Sequence, residues 1–177
     1  MNNWKPTEFE RFESSFPTST RTARIVTDAG KAYIKALGNP EGPHVLAFEW
    51  IAANLARWFG LRTFDFAVIV LKDEDEIFLG DDCRALPGPA FVTKAERGRS
   101  WNGSAAELEN VQNTEDITRL IVFDNWIRNR DRYFPPRENY DNVFLSTEHT
   151  DDDFCELIAM DHTHCMSESN FLSAKIS

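Results

Sequence analysis

The sequence predicts an α+β fold in two parts: a small antiparallel β-sheet with one helix, then a short, mainly helical part that carries a β-hairpin. Three observations predict it. Apolar runs of period two, separated by turn residues, dominate residues 1–97, and a single helix-period run interrupts them. From residue 98 a Gly- and Ser-punctuated stretch leads to a second helical pattern, which is followed by two more strand-like runs. The predicted division is therefore 1–97 and 98–177.

The elements follow in order. "TRTARIVTDAGKAYIKAL" reads as a hairpin, with strands over Thr22–Thr27 and Ala32–Leu37 and a turn made by Asp28, Ala29, Gly30 and Lys31. Lys35 thus lies on the second strand. After "NPEGPH", Val45, Phe48, Ile51, Ala52, Leu55 and Phe59 recur at helical spacing, Glu49 edges that apolar face, and Gly60 stops the helix. "FDFAVIVLK" and "DEIFLG" read as strands on either side of "DEDE", and "GPAFVTKAE" as another. "RGRSWNGSAAE" reads as a connection between the two parts.

Thr114 is the expected N-cap of the next helix, with Glu115 and Asp116 in its first turn, where the helix dipole favours anions. Ile117, Leu120, Ile121, Phe123 and Ile127 form its expected apolar side to about Arg128, and Pro135 and Pro136 keep it from continuing. Asp124 shares that face, and a buried carboxylate needs partners, so it is expected to anchor the following loop through backbone N–H groups. Trp50, Trp58 and Trp126 are expected in the core or at an interface. "NVFLS" and "FCELIAM" then form a second hairpin around "TEHTDDD".

Composition narrows the function classes. With 42% hydrophobic and 12% aromatic residues the chain of 177 residues can fill a core. Its formal net charge of −10 disfavours nucleic acid as a partner. Cys83, Cys155 and Cys165 form no CxxC pair and read as free thiols of a reducing compartment. No signal peptide and no apolar run of the roughly 20 residues needed to cross a bilayer is present, so a soluble, cytoplasmic protein without membrane contact is expected.

The second hairpin has a chemical consequence. Antiparallel strands joined by a turn set the start of the first beside the end of the second, roughly 5 Å apart across the pair. Asn142 stands at that start and Asp161 just past that end, next to the loop bearing Asp131 and Asp141. Hard oxygen donors so converged suit Mg²⁺, which takes a few protein oxygens and keeps waters or phosphates for the rest. Any one of these residues alone reads as a turn former. His162, His164 and Cys165 lack the second ligand cluster that a zinc site needs.

"NWIRNRDRYFPPRENYDNVFL" followed by "LIAMDH" resembles the catalytic segment of the HipA-like kinases and, more distantly, of the phosphatidylinositol kinases. The resemblance runs from about Thr20 to Met166. It implies a bilobal protein-kinase-like fold that uses ATP and Mg²⁺. By position, Asp131 in "NRDR" matches the catalytic aspartate, Asn142 in "DNVFL" the metal-binding asparagine and Asp161 in "AMDH" the metal-binding aspartate. Upstream, Lys35 in "AYIKAL" and Glu49 in "AFEWIA" match the phosphate-contacting lysine and its helix partner. Backbone groups of Val92, Thr93 and Lys94 would face adenine, and Arg24 belongs to the nucleotide loop. Asn129 and Arg132 would brace the catalytic loop or contact phosphate.

The sequence also departs from the family pattern. Eleven positions separate Asp131 from Asn142, and "YFPPRENY" reads as an insertion between them. Asp161 is followed by His162 and Thr163 rather than Phe and Gly, and "SSFPTSTRTAR" contains no glycine. The chain ends soon after "DHTHCM", which implies a short or truncated lobe, or a partner protein that completes or regulates it. The leading expectation is a kinase acting on a hydroxyl acceptor, a protein Ser or Thr first and a small molecule second. Two alternatives stand beside it: an inactive or weak kinase-like module of the toxin–antitoxin type that binds nucleotide or a partner protein, and a metal-dependent hydrolase using the same carboxylates.

Overall fold

The computed structural model describes residues 4–80, 82–129, 131–132, 139–151 and 153–166. The expected insertion around Pro135 and Pro136 and the end of the chain lie outside them. The chain forms two compact units, Met1–Trp50 with Asp65–Ala95 and Ile51–Phe64 with Glu96–Ser177. Its architecture is α+β, with mostly antiparallel sheets and few helices. No helix among the described residues is long and apolar enough to cross a membrane, and all three cysteines are free thiols.

The first unit is built on a five-stranded sheet of order β1-β2-β3-β7-β4: β1 Phe9–Ser15, β2 Ala23–Thr27, β3 Gly30–Lys35, β7 Gly88–Lys94 and β4 Phe66–Leu71. Every neighbouring pair is antiparallel. Alternation sets the inward face. Ala23, Ile25, Ala32, Ile34, Ala90 and Val92 are buried together with Ile69, Ile77 and Leu79. The β2–β3 hairpin is present, but its turn is the two residues Asp28 and Ala29 rather than the expected four: Gly30 already pairs with Thr27, takes a φ of +106° that a side chain would strain, and its carbonyl accepts the Thr27 hydroxyl at 2.9 Å. Helix α1, His44–Trp58, starts in this unit, and its residues from Ile51 onward belong to the second.

Two features of this unit were not read from the sequence. Strand β1 carries only Phe9 and Phe12 as apolar residues, and its register slips between Phe9 and Arg11 and between Phe12 and Ser14, so alternation gave no signal for it. The runs flanking "DEDE" do form strands, but they do not pair with each other. β4 joins β7, and β5, Phe78–Gly80, pairs with the two-residue β6, Cys83–Arg84.

The second unit holds a three-stranded sheet of order β10-β9-β8: β8 Gly98–Ser100, β9 Val143–Ser146 and β10 Glu156–Ala159. The expected connection at 98 is therefore partly strand, followed by one short helix, α2, Ala105–Leu108. Gly98 is required by close approach rather than by flexibility, since a Cβ there would lie 2.2 Å from the Leu145 carbonyl oxygen. The expected hairpin is present, with Val143 opposite Ala159. With three strands beside α2 and a second helix, α3, Glu115–Trp126, the part beyond 98 is not mainly helical among the described residues.

Helix α3 runs from Glu115 to Trp126. Thr114 makes no capping bond with its side chain. Asn113 anchors this end instead: its amide donates to Asp116 Oδ2 at 2.8 Å and the Leu157 carbonyl at 2.9 Å, and its oxygen accepts the Leu157 N–H at 2.8 Å. The buried face is Asp116, Leu120, Phe123 and Asp124, with Ile127 beyond, whereas Ile121 is exposed. Asp124 shares the buried face as expected, and the bonded Asp116 joins it there while Ile121 turns outward. Trp50, Trp58 and Trp126 are exposed rather than core, and the rings of Trp58 and Trp126 lie 6.3 Å apart.

Candidate active site

Lys35 ends β3 opposite Phe91 of β7, and Glu49 lies on α1. Both are buried, at 9% and 4% exposure, and Lys35 Nζ meets Glu49 Oε1 at 2.5 Å. A strand lysine and a helix glutamate fourteen residues apart in sequence become one buried ion pair because β3 is an inner strand of the sheet. Removing either partner breaks a buried ion pair.

The second group assembles where α3 ends. Arg128 adopts a left-handed φ of +55°, its N–H donates to the Asn125 carbonyl at 3.3 Å, and the Asn129 N–H donates to the Asp124 carbonyl at 2.8 Å. This is a Schellman stop. It ends the helix seven residues before Pro135, so the prolines are not what terminates it.

Asp131 follows within three residues of the stop. Its Oδ1 accepts from Asn139 Nδ2 at 2.7 Å and its Oδ2 from Asn142 Nδ2 at 3.0 Å, while its N–H donates to Asn129 Oδ1 at 3.3 Å. Asn142 closes a 3₁₀ turn, Tyr140–Asn142, directly before β9. Its carbonyl accepts the Met160 N–H at 3.2 Å, extending the β9–β10 ladder by one step toward Asp161. Asp161 takes a left-handed φ of +56°, and its Oδ1 accepts the Thr163 hydroxyl at 2.7 Å and the Thr163 N–H at 3.4 Å.

Arg132 is fully buried. Its Nε donates to Asp124 Oδ2 at 2.7 Å, one terminal nitrogen donates to the Asn142 carbonyl and the other to the Met160 carbonyl at 3.0 Å. Asn129 Nδ2 donates to Asp124 Oδ1 at 3.0 Å. Asp124 therefore does anchor the loop, but its carboxylate acts through two side chains rather than through backbone N–H groups. Burial pushes its carboxyl above the ordinary range, against the opposing pull of Arg132 and Asn129.

The side chains of Asn142 and Asp161 carry hard oxygens on adjoining segments, and the Asn142 amide nitrogen is already turned toward Asp131, so its oxygen is the atom that could face a cation. That set fits Mg²⁺. Among the described residues no group of three or more His, Cys, Asp and Glu side chains is placed to hold a metal. His162 is buried and packs edge-on against Phe123 at 5.7 Å.

The remaining candidates have other neighbours. Arg24 pairs with Glu13 of β1 at 2.9 Å. Val92 and Thr93 lie in β7 between β3 and β4, and the Lys94 N–H donates to the Asp65 carbonyl at 2.7 Å. Strand pairing takes these groups up on both sides, so an adenine contact there requires a sheet bond to open. Asn139 and Thr163, both bonded to a candidate aspartate, were not anticipated. Thr163 has a faint signal in its Asp-x-Thr spacing, a common local hydrogen-bonding pattern, whereas Asn139 has none.

The Lys35–Glu49 pair lies in the first unit, and Asp131, Asn142 and Asp161 lie around the hairpin of the second. The chain belongs to the HipA-like kinases, whose family model matches residues 19–175. A search of the curated proteins found no match. Among solved structures the fold is similar to that of WaaP in complex with acyl carrier protein, with 13% identity and a TM-score of 0.52. The match covers 87% of this chain and 62% of that one, so the chain spans less than two thirds of its length.

Proposed function

We propose that the chain is an ATP- and Mg²⁺-dependent kinase that transfers the γ-phosphate to a hydroxyl, that of a protein Ser or Thr first among acceptors. The hydrogen bond from Asn142 to Asp131 carries this reading, because it ties a metal-ligand candidate to a base candidate in one unit. Phosphoryl transfer asks a protein mainly to position groups and offset charge. When bound, Mg²⁺ would offset the charge of the phosphates. Asn142 and Asp161 would hold it; Lys35, oriented by Glu49, would contact the phosphates. Asp131 accepts the acceptor hydroxyl's proton, and the incoming hydroxyl competes with Asn139 for its carboxylate. In this reading the first unit is the nucleotide lobe and the second the catalytic lobe.

A second reading, a kinase-like module that binds nucleotide or a protein without transfer, is favoured by the exposed rings of Trp58 and Trp126. Incubation with labelled ATP and Mg²⁺, alone and with cell extract, separates the two. Transfer is expected, falling about 10²–10⁴-fold in Asp131→Ala. Label transfer that is absent, or unchanged in Asp131→Ala and Asp161→Ala, would reject the kinase reading.

A further inference from the structure

Arg132 buries a permanent charge, so its contacts indicate its role. They join three segments: the Asp124 carboxylate of α3, the carbonyl of Asn142 and the carbonyl of Met160. The two carbonyls belong to Asn142 itself and to the residue before Asp161. Beyond the last ladder pair, Val143 with Ala159, those two segments share the Met160-to-Asn142 bond, after which Asp161 turns into the left-handed region. We propose that Arg132 is a positioning residue that fixes the separation of Asn142 and Asp161, and with it the divalent-cation site, while touching neither cation nor substrate.

The shape of the guanidinium supports this. Its planar fork presents several donors at fixed mutual angles, so with Nε held by Asp124 the terminal nitrogens hold both carbonyls at a set distance. A lysine ammonium is a single point donor and cannot span the two. Asp124 also binds Asn129, whose oxygen holds the Asp131 N–H, so the same anchor sets the base beside the cation site. Outer partners of this kind change metal affinity when they are altered.

The proposal rests on the kinase reading, and its test separates the two. Binding of a non-hydrolysable ATP analogue to the full chain is titrated with Mg²⁺ in wild type, Arg132→Lys, Asp124→Asn, Asn142→Ala and Asp161→Ala, with nucleotide affinity in EDTA and Tm measured alongside. Arg132→Lys is expected to raise the Mg²⁺ needed for half-maximal binding about 10–100-fold while leaving EDTA affinity unchanged, and Asp124→Asn to shift it the same way by less. If Arg132→Lys does not fold, Asp124→Asn decides. A lowered Tm with an unchanged Mg²⁺ requirement overturns the proposal but spares the kinase reading, provided Asn142→Ala and Asp161→Ala still raise that requirement. If those two variants also leave it unchanged, the kinase reading falls and the proposal with it.

Discussion

Lys35 and Glu49 carry opposite charges to a place where neither is well hydrated. Desolvation offsets much of their attraction, so the pair adds little net stability, yet removing one member should cost about 3–5 kcal/mol. Lys35→Met is expected to lose that much in urea unfolding, and Lys35→Met with Glu49→Leu to regain most of it. Arg128 offers the opposite case. Its left-handed φ of +55° costs about 1–2 kcal/mol, and a glycine there would relieve the strain while losing roughly 0.4–1 kcal/mol through a freer unfolded chain. Arg128→Gly should therefore stabilise the protein slightly, read as a small rise in Tm. The role of Asp131 came from resemblance alone, whereas the placements of Lys35 on a strand, Glu49 on a helix and Asn142 beside the end of β10 were legible, because each stands at a fixed place in a run of recognisable period. Asn139 was not, since a loop asparagine carries no periodic signal.

Among the elements, β1 shows how an edge strand can be held by a turn that precedes it in space but follows it in sequence. The Asp28 carboxylate accepts the Thr7 hydroxyl at 2.6 Å and the N–H groups of Thr7 and Glu8 at 2.8 and 3.2 Å, and the Asp28 N–H donates to the Glu8 carbonyl. Bonds from Thr7 lower the carboxyl's pKa. A depressed folded-state pKa means that the contribution is present above the ordinary carboxylate pKa of about 3.9 and is lost as pH falls through the lowered folded value. Amide exchange at Thr7 and Glu8 should accordingly stay slow at neutral pH and accelerate selectively in that acid range, and in Asp28→Ala it should be fast throughout. At Gly98 the constraint is steric, and Gly98→Ala is expected to detach β8 from β9, with lost exchange protection confined to β8 and β9 as the sign. Composition showed a glycine at this point, but only the clash that a Cβ would make with the Leu145 carbonyl distinguishes a required glycine from a linker glycine.

At the level of the whole chain, the α+β class and both hairpins were legible because period-two runs with turn residues between them leave few alternatives. The helix partition, the pairing of β4 with β7, the burial of Asp116 and the side-chain partners of Asp124 were not legible, because they depend on which other segment arrives opposite, and a local pattern does not encode that. The same distinction applies to function. The order Lys, Glu, Asp, Asn, Asp can be read along the chain, but the bonds by which a buried arginine from a third segment joins the Asn142 and Met160 carbonyls cannot. The two levels are joined by linkage: a ligand that binds only the folded chain raises its stability by about 2.7 kcal/mol at 100 times Kd. For a chain of this size that is a Tm rise of roughly 5–10 °C. The ATP analogue with Mg²⁺ should produce a rise of that order, either component alone much less, and Asp161→Ala should lose it while the variant's unliganded Tm stays near that of wild type. A rise that is equal in EDTA would show nucleotide binding without the cation and would remove Asn142 and Asp161 from the metal role.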